Sequence, residues 1–472
     1  MNFKGISYYL GLSCYPVTFL SFFNILYSSY FNHYLNLDAY ILTLAVSFLS
    51  GTAFYLFSVN GDKNIKFHEK LILICGVYLF ISFLISIPYY FGNYQLSFVD
   101  SFFEAISGIT TTGFTIFYNV KFLDPTLLIW RSSSQWIGGL YFLVFLILIF
   151  SNFKNEFKLT NLVYNPDKAT NLFKDTQKIV VKVFFIYTFI TSIIFILISF
   201  SGVRLFNSFN LSMTIVSTGA FLPTNELSEI IKYSSQKIIL ATFVTFSALN
   251  IYFFYSLFIK KNIIKKHYED VLILLAILFF SLVIFFSIQN TSFLNVFFGV
   301  VSSLSSSGLT LYKPPENFYL FFILLAIIGG SVMSNSSGIK FLRLYILFKS
   351  TVFEIFRLAS PNVIIDQRIF KTEHKINNEN LNSSFFIFIC FFISIFILSS
   401  ILTAGGLNFE TSFKLSILTI TNTVNSNLFG LESVDFFNLL TSSKIFLILF
   451  MVIGKIELIS FFLIIKKLIS RN

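Results

Sequence analysis

The chain has 472 residues, of which 56% are hydrophobic and only 12% are charged. Soluble proteins carry a charge on about a quarter of their residues. Half that fraction cannot cover a water-exposed surface, so the composition excludes a soluble enzyme. A membrane-spanning helix needs about 20 apolar residues, and the apolar content is enough for about ten such helices. The sequence therefore predicts a polytopic membrane protein.

Ten apolar segments are long enough to cross a bilayer. They lie near residues 8–30, 38–58, 69–91, 126–150, 179–201, 237–259, 268–288, 317–348, 384–404 and 443–465. Several are separated by apolar segments of about a dozen residues, which are too short to cross and are bounded by Gly and Ser. Irregular backbone at membrane depth is tolerated only where it faces protein or a water-filled path. These short segments are therefore predicted to be re-entrant pore helices.

The net charge of +11 is distributed in basic clusters that follow apolar segments. The clusters lie within residues 63–70, 154–178, 260–266, 343–375 and 466–471, and the intervening loops carry few basic residues. Positive charge accumulates on the cytoplasmic side of membrane proteins. The pattern predicts that both termini are cytoplasmic and argues against a nucleic-acid partner.

A four-fold repeat is visible in the short segments. In three of them a Phe is followed ten residues later by a Gly that comes directly after hydroxyl residues. These pairs are Phe103 and Gly113, Phe209 and Gly219, and Phe298 and Gly308. A fourth, degenerate unit runs from Glu410 to Gly430. Each unit has the order helix, re-entrant helix, Ser/Thr-Gly loop, helix.

Four such loops around one axis would form rings of backbone carbonyl oxygens, which can replace the water shell of an alkali cation. Gly at the loop tip allows a carbonyl to point at the axis, and hard oxygen ligands suit K⁺ or Na⁺. A structural alternative is that small residues only pack helices closely, but this does not account for four matching loops. The residues predicted to line this selectivity filter and bind K⁺ or Na⁺ are Ile109, Thr110, Thr111, Thr112, Gly113, Val216, Ser217, Thr218, Gly219, Ser305, Ser306, Ser307, Gly308, Thr423, Asn425, Ser426 and Asn427.

Small and polar residues interrupt the apolar segment that follows the third loop. The interruption covers residues 329–338 and predicts a flexible intramembrane loop that blocks or opens the path, with a helix kink as the alternative. Ionisable residues at membrane depth usually face a cavity or a partner. Lys455 is expected to pair with Glu457 or with the loop carbonyls, and Lys340 either faces the same cavity or extends to the cytoplasm. The predicted gate residues are Gly329, Gly330, Ser331, Ser334, Ser336, Gly338, Lys340 and Lys455.

Three further charged residues flank the first loop. Glu104 on the first pore helix is expected to hold neighbouring loop amides, and supplying negative potential at the outer mouth is its alternative role. Asp100 is expected to cap the start of that helix, and Arg131 to anchor the next span at the membrane interface.

The sequence resembles the bacterial Trk/Ktr potassium transporter subunits, and its two extra N-terminal helices favour the Trk type. The motifs that carry the resemblance are Phe103–Phe114, Trp130-Arg131, Gln135–Gly139, Gly329-Gly330, Gly338–Lys340 with Arg343, and Ile453–Glu457. Two loops depart from the family pattern. The third has serines at 305–307 where the family has threonines, and the fourth lacks the pattern Asn-Asn-Leu-Gly-Pro-Gly, with 425–430 as its nearest match. The register of the fourth loop and the preference for K⁺ over Na⁺ therefore remain open.

The resemblance implies an all-α polytopic membrane protein with four helix–pore-helix–helix repeats around a pseudo-fourfold pore, plus two N-terminal transmembrane helices. The expected division is 1–65 for the N-terminal helices, 66–153 for repeat 1, 154–262 for repeat 2, 263–350 for repeat 3 with the gating loop, and 351–472 for a cytoplasmic linker and repeat 4. It also implies a homodimer in the cell membrane, a cytosolic nucleotide-binding regulatory subunit of TrkA type and surrounding lipids. No cofactor is expected to be bound by the chain, and K⁺ is the transported ion.

The predicted function is potassium uptake by a gated, channel-like subunit. One alternative is a membrane enzyme acting on lipid-linked substrates, but no convincing pair of acids or metal cluster supports it. The other is a secondary transporter coupled to Na⁺ or H⁺ with weak K⁺/Na⁺ selectivity. The broken helix at 329–338 fits such a transporter, whereas four filter-like repeats do not follow from it.

Overall fold

The computed structural model describes residues 2–150, 176–253, 267–288, 291–360, 368, 376, 378–431 and 434–456. Within these ranges the secondary structure consists of α-helices and short 3-10 helices, with no strand. The α-helices are, in chain order, α1 (Phe3–Tyr30), α2 (Leu37–Ser58), α3 (Phe67–Phe91), α4 (Phe98–Ile109), α5 (Pro125–Phe150), α6 (Thr176–Phe200), α7 (Leu205–Val216), α8 (Ser234–Ala248), α9 (Tyr268–Ser287), α10 (Phe293–Leu304), α11 (Tyr319–Ile328), α12 (Phe341–Ala359), α13 (Asn378–Ala404), α14 (Phe409–Ile420) and α15 (Thr441–Ile456).

Four short helices confirm the predicted repeat. The pore helices α4, α7, α10 and α14 have 12 residues each. At 1.5 Å per residue such a helix is about 18 Å long, which is much shorter than the hydrocarbon core of about 30 Å. Each follows a long helix and precedes a second one, so α3–α5, α6–α8, α9–α12 and α13–α15 form the four units, and α1 and α2 precede them.

In each unit, the helix before the pore helix differs from the helix that follows it. Among the described residues, α1, α2 and the first helix of each unit (α3, α6, α9 and α13) are long and apolar enough to span a membrane. The second helices are more polar, shorter or broken. α5 carries Arg131 and a Ser-Ser-Ser-Gln run, α8 stops at Ala248, and α15 carries Lys444 and Lys455. The predicted span 317–348 is divided into α11 and α12.

One helix boundary corrects the prediction and another confirms it. The span predicted over 237–259 is not one continuous helix, because α8 ends at Ala248 and the backbone is extended at Leu249, while residues 254–259 lie outside the described part. The interruption predicted at 329–338 is confirmed: twelve non-helical residues lie between Ile328 and Phe341. Both interruptions occur in second helices.

The units close into a ring. Repeat 1 packs on repeat 2 through α5 and α7, repeat 2 on repeat 3 through α8 and α10, repeat 3 on repeat 4 through α11 and α14, and repeat 4 on repeat 1 through α15 and α4. Every junction therefore involves one pore helix and one second helix. This arrangement brings the C-terminal ends of the pore helices together around a shared axis.

Candidate functional site

All four pore helices end in the same way. The second residue after each helix has a positive φ, and these residues are Thr111 (58°), Thr218 (56°), Ser306 (60°) and Asn422 (46°). The residue that follows each of them donates its N–H to a carbonyl five residues earlier, at distances of 2.9–3.1 Å. These bonds define a Schellman motif, in which glycine is the usual left-handed residue.

Glycine is missing from this position in all four loops. An L-residue in the left-handed conformation costs about 1–2 kcal/mol, and a β-branched threonine with positive φ is a genuine outlier. Backbone strain of this kind persists where function requires it. Its recurrence at Thr111, Thr218, Ser306 and Asn422 marks this ring of polar side chains, named here the inner ring, as part of the site.

The shared geometry fixes the register of the loops. The tip lies two residues after the inner ring and is Gly113, Ala220, Gly308 and Val424 in the four repeats. Gly113 and Gly308 have positive φ (87° and 67°), and Ala220 and Val424 do not. The tips of repeats 1 and 3 therefore differ from those of repeats 2 and 4.

Two sequence-based assignments change as a result. Gly219 is structurally equivalent to Thr112 and not to Gly113, because its N–H bonds to Thr214 as that of Thr112 bonds to Ser107. The equal Phe-to-Gly spacing was misleading, since Phe209 is not at the helix position of Phe103.

The fourth loop is also displaced from its expected position. It consists of residues 421–424, so Thr423 belongs to it, whereas Asn425, Ser426 and Asn427 follow the tip. Among the predicted filter residues, Ile109 and Val216 are the last residues of α4 and α7.

The tips of adjacent repeats lie close together. A Cβ atom on Gly113 would lie 2.9 Å from the Cβ of Ala220 and 3.2 Å from Val424. One on Gly308 would lie 2.9 Å from Thr423 and from Val424. Contacts this short leave no room for a side chain at either glycine. The four tips therefore form one tight constriction.

A second set of bonds separates the glycine repeats from the others. Ser107 and Ser302 each donate from Oγ at 2.6 Å to the carbonyl of the residue after the tip glycine, Phe114 and Leu309 respectively. The equivalent residues in repeats 2 and 4 are Thr214 and Leu418, and Leu418 has no hydroxyl. The constriction thus has two-fold alternation within a four-fold arrangement of helices.

Glu104 supports the first loop from behind. Its carboxylate accepts hydrogen bonds from the Ile116 backbone N–H at 2.9 Å, the Thr115 hydroxyl at 3.1 Å and Arg131 Nε at 2.9 Å. The Arg131 guanidinium also lies 4.1 Å from the centroid of the Phe221 ring. Glu104 is therefore a scaffold residue. Arg131 is 1% exposed, so its expected position at the membrane interface was wrong: it neutralises the buried carboxylate.

Neighbouring repeats are joined by side chains. Gln135 Oε1 accepts the Phe221 N–H at 3.0 Å, and Asn422 Nδ2 donates to the Thr112 hydroxyl at 3.0 Å. The first bond links repeat 1 to repeat 2, and the second links repeat 4 to repeat 1. Neither role had been predicted, because amide side chains carry no local sequence signal for such contacts.

Asp100 also joins two repeats. Ser97 is the N-cap of α4 and accepts the Asp100 N–H, so Asp100 is not the capping residue expected from the sequence. Its carboxylate instead accepts a bond from Lys444 Nζ at 2.5 Å. Both side chains are less than 10% exposed. This buried ion pair fixes the first pore helix to α15.

A cavity of about 920 Å³, named here the outer cavity, opens on the side of the constriction away from residues 329–340. Its lining includes all four tips and the residues that follow them, among them Asn425, Ser426 and Asn427. Tyr312 also lines it, and burial raises the pKa of its phenol, which therefore stays neutral. The cavity is large enough to hold a hydrated cation in front of the four tips.

On the opposite side lies the intramembrane loop, residues 329–340. Gly329 and Gly338 have positive φ, and the loop is closed at its base by the bond from Phe341 N to Gly330 O at 3.1 Å. Lys340 Nζ donates to the carbonyls of Ser331 (3.2 Å), Ser334 (3.3 Å) and Ser336. Lys340 is 1% exposed, so it does not extend to the cytoplasm. Its ammonium satisfies carbonyls that lack a helical partner.

The intramembrane loop contacts the inner ring directly. Asn335 O accepts bonds from the Thr218 hydroxyl and from Lys455 Nζ, both at 3.3 Å. Lys455 Nζ also donates to the Thr111 hydroxyl at 2.7 Å, and Ser337 N donates to Ser306 Oγ at 3.2 Å. Lys455 thus contacts a loop carbonyl, as predicted; Glu457, its other expected partner, lies outside the described residues.

The four loops present oxygen atoms of the kind that coordinate an alkali cation. Within the described ranges, no cluster of three or more His, Cys, Asp or Glu residues could hold a metal ion. The oxygen-bearing groups of the four loops are backbone carbonyls, hydroxyls and the Asn422 amide. These are the oxygen ligands that alkali cations accept.

Comparison with known proteins supports this description. No family model matches the chain. Its sequence is 26% identical to the Trk system potassium uptake protein TrkG of Escherichia coli over 90% of both chains. It is also 26% identical to an uncharacterized cation transporter of Methanocaldococcus jannaschii, over 86% of this chain and 84% of the relative.

A solved structure matches the whole fold. The potassium transporter TrkH of Vibrio parahaemolyticus superposes with a TM-score of 0.82 over 98% of each chain, at 19% identity. The sequence resemblance and the fold agree over almost the entire length. This chain is therefore related to the Trk potassium uptake proteins and is a polytopic membrane protein with their fold.

Proposed function

We propose that the chain is the pore-forming subunit of a potassium uptake system, a transport protein and not an enzyme. The observation that carries the proposal is the set of four strained loop ends, which have the same backbone geometry and meet at one constriction. The potassium uptake named for TrkG and TrkH supports the choice of ion. A coupled secondary transporter is not favoured, because it does not require four equivalent loops.

Permeation begins in the outer cavity. A hydrated cation enters, loses water and is bound by carbonyl oxygens between residues 110–113, 217–220, 305–308 and 421–424, with K⁺ as the ion. The membrane potential contributes about 2.3 kcal/mol per charge per 100 mV, which is enough to drive inward movement. The chain needs no cofactor for this step.

The intramembrane loop is the gate. In this structure it lies against the inner ring, and the Lys455 ammonium occupies a position within hydrogen-bond distance of Thr111. A positive charge there repels a permeating cation, so this arrangement is the closed state. Opening requires Asn335 and Ser337 to leave the inner ring, which frees its hydroxyls to bind the ion.

The family resemblance and the distribution of charge support the proposed assembly. The chain acts as a homodimer in the lipid of the cell membrane, with both termini in the cytoplasm. A cytosolic nucleotide-binding subunit of TrkA type regulates the gate from that side. The basic clusters after the apolar segments support this orientation.

Rubidium influx tests the proposal. The chain is produced with a TrkA-type partner in cells that lack potassium uptake, and Rb⁺ influx is measured with and without competing Na⁺. We expect saturable Rb⁺ influx that Na⁺ reduces only slightly. Equal passage of both ions would contradict the choice of K⁺, and no influx from protein that reaches the membrane would contradict the pore.

A further inference from the structure

Two adjacent buried carboxylates lie beside the intramembrane loop and have no part in the function described so far. Glu269 and Asp270 are in the first turn of α9 and are 8% and 1% exposed. Buried ionisable groups in a membrane segment are expensive and are usually functional. From sequence alone, acidic residues in a first helical turn look like ordinary dipole partners. Their contacts show a different arrangement.

Each carboxylate binds the backbone of another irregular segment. Glu269 Oε1 accepts the N–H of Val332, in the intramembrane loop, at 3.1 Å. Asp270 Oδ1 accepts the N–H of Asn250, directly after the end of α8, at 2.9 Å. His267 Nδ1 lies 3.1 Å from Asp270 Oδ2 and orients that carboxylate. One helical turn therefore holds both the loop and the break after α8.

The loop and the break also hold each other. Ser331 N donates to Ala248 O at 2.9 Å, and Ile251 N donates to Met333 O at 3.2 Å. There is no room for a side chain on Gly330, since a Cβ on it would lie 2.4 Å from Ala248 O. The carboxylates of α9 thus complete a small network of backbone bonds on the side of the loop away from the inner ring.

We propose that Glu269 and Asp270 are positioning residues of the gate, which hold the intramembrane loop closed by accepting the backbone N–H groups of Val332 and Asn250. The inference rests on the proposed function, because it takes the loop to be the gate. Glu269 accepts from the loop itself, whereas Asp270 accepts from the break after α8 that the loop packs on. Losing either acceptor releases the closed loop and leaves the filter intact.

The test is Rb⁺ efflux from liposomes that contain the purified full-length chain without any partner. Glu269→Ala removes the acceptor and is expected to raise the efflux rate severalfold over the unmodified chain. Glu269→Gln keeps an oxygen that can accept the Val332 N–H, so its rate should return close to that of the unmodified chain. Asp270→Ala removes the acceptor of the Asn250 N–H and should also raise the efflux rate.

Two further variants make every outcome informative. Glu354→Gln changes an exposed carboxylate of α12 that lies 3.4 Å from the Arg357 guanidinium on the surface, so it should leave the rate unchanged. Deletion of residues 331–336 removes the gate and should give the fastest efflux. A merely structural defect at Glu269 would lower the rate, whereas the proposal predicts an increase that the glutamine variant reverses.

The possible failures are distinguishable. If the deletion variant conducts Rb⁺ but Glu269→Ala and Asp270→Ala match the unmodified chain, the proposed positioning role of these carboxylates is wrong and the proposed function stands. The positioning role is also wrong if Glu269→Gln conducts as fast as Glu269→Ala. If the deletion variant itself passes no Rb⁺, the proposed pore function fails.

Discussion

The four filter loops and the intramembrane loop are both irregular backbone at membrane depth, but they are held by different kinds of contact. Each filter loop is closed by backbone bonds to its own pore helix, a few residues away. The intramembrane loop has a backbone bond at its base, but it is also held by side chains from distant parts of the chain, namely Lys455 and Glu269, and by Lys340 at its own end. Because the filter loops bond to their own pore helices, they keep their conformation when other elements move. The contacts of the intramembrane loop with separate elements are lost together when the loop moves away. This difference suits a fixed filter and a movable gate.

The largest expected effect comes from blocking the constriction. In Gly113→Asp even the added Cβ would lie 2.9 Å from the Cβ of Ala220, so the side chain would enter the constriction. The residue also has a φ of 87°. We expect Rb⁺ influx to be abolished. Gly202→Asp is the matched control, because Gly202 has φ of 91° but nothing within 4 Å of its Cβ position. If both variants lose influx equally, backbone strain and not pore occlusion is the cause.

The buried pair behind the first loop should dominate stability. Arg131→Met leaves the Glu104 carboxylate buried and unpaired, and breaking such a pair costs about 3–5 kcal/mol. Thermal unfolding of the detergent-solubilised protein measures the loss. Arg357→Met breaks the exposed pair with Glu354 and should cost at most about 1 kcal/mol. Equal shifts in the two variants would contradict the scaffold role.

An intermediate effect is expected at the gate. Lys340→Met removes the donor that satisfies three loop carbonyls, so the loop should leave the inner ring more often. Rb⁺ efflux from liposomes should rise severalfold with an unchanged ratio of Rb⁺ to Na⁺ passage. Lys182→Met, at an exposed position of α6, should have no effect. A changed ion ratio would show that Lys340 also shapes the filter.

The smallest effect concerns selectivity. Val424→Gly would allow the fourth tip to adopt the positive φ of Gly113 and Gly308, making the constriction more nearly four-fold. We expect the preference for K⁺ over Na⁺ to rise, with Ala220→Gly acting in the same direction. Competition of Na⁺ with Rb⁺ influx measures it. A lower preference would show that the alternating tips are themselves the selective arrangement.

Local sequence patterns predicted the helices and the repeats well, because apolar length and short hydroxyl-Gly segments are local properties. They failed where the signal was ambiguous. Glycine was taken as the repeated filter residue, but the repeated feature is the strained inner ring, in which Thr111 and Asn422 are equivalent. A hydroxyl and an amide look unrelated in sequence until the backbone shows their common conformation.

Long-range partners were the other source of error. Arg131 looked like an interfacial residue because Glu104 is 27 positions away. Glu269 drew no attention, since its partner Val332 belongs to another element 63 positions along the chain. Contacts of this kind depend on how the repeats pack around the axis, and one sequence does not contain that information in readable form.

The most direct test of the central claim is to locate the ion. Crystals of the protein grown in RbCl, with diffraction recorded at the Rb absorption edge, would show bound cations as anomalous density. The account predicts density on the axis between residues 110–113, 217–220, 305–308 and 421–424, and none in crystals of Gly113→Asp. Density only at other positions, or undiminished axial density in that variant, would contradict it.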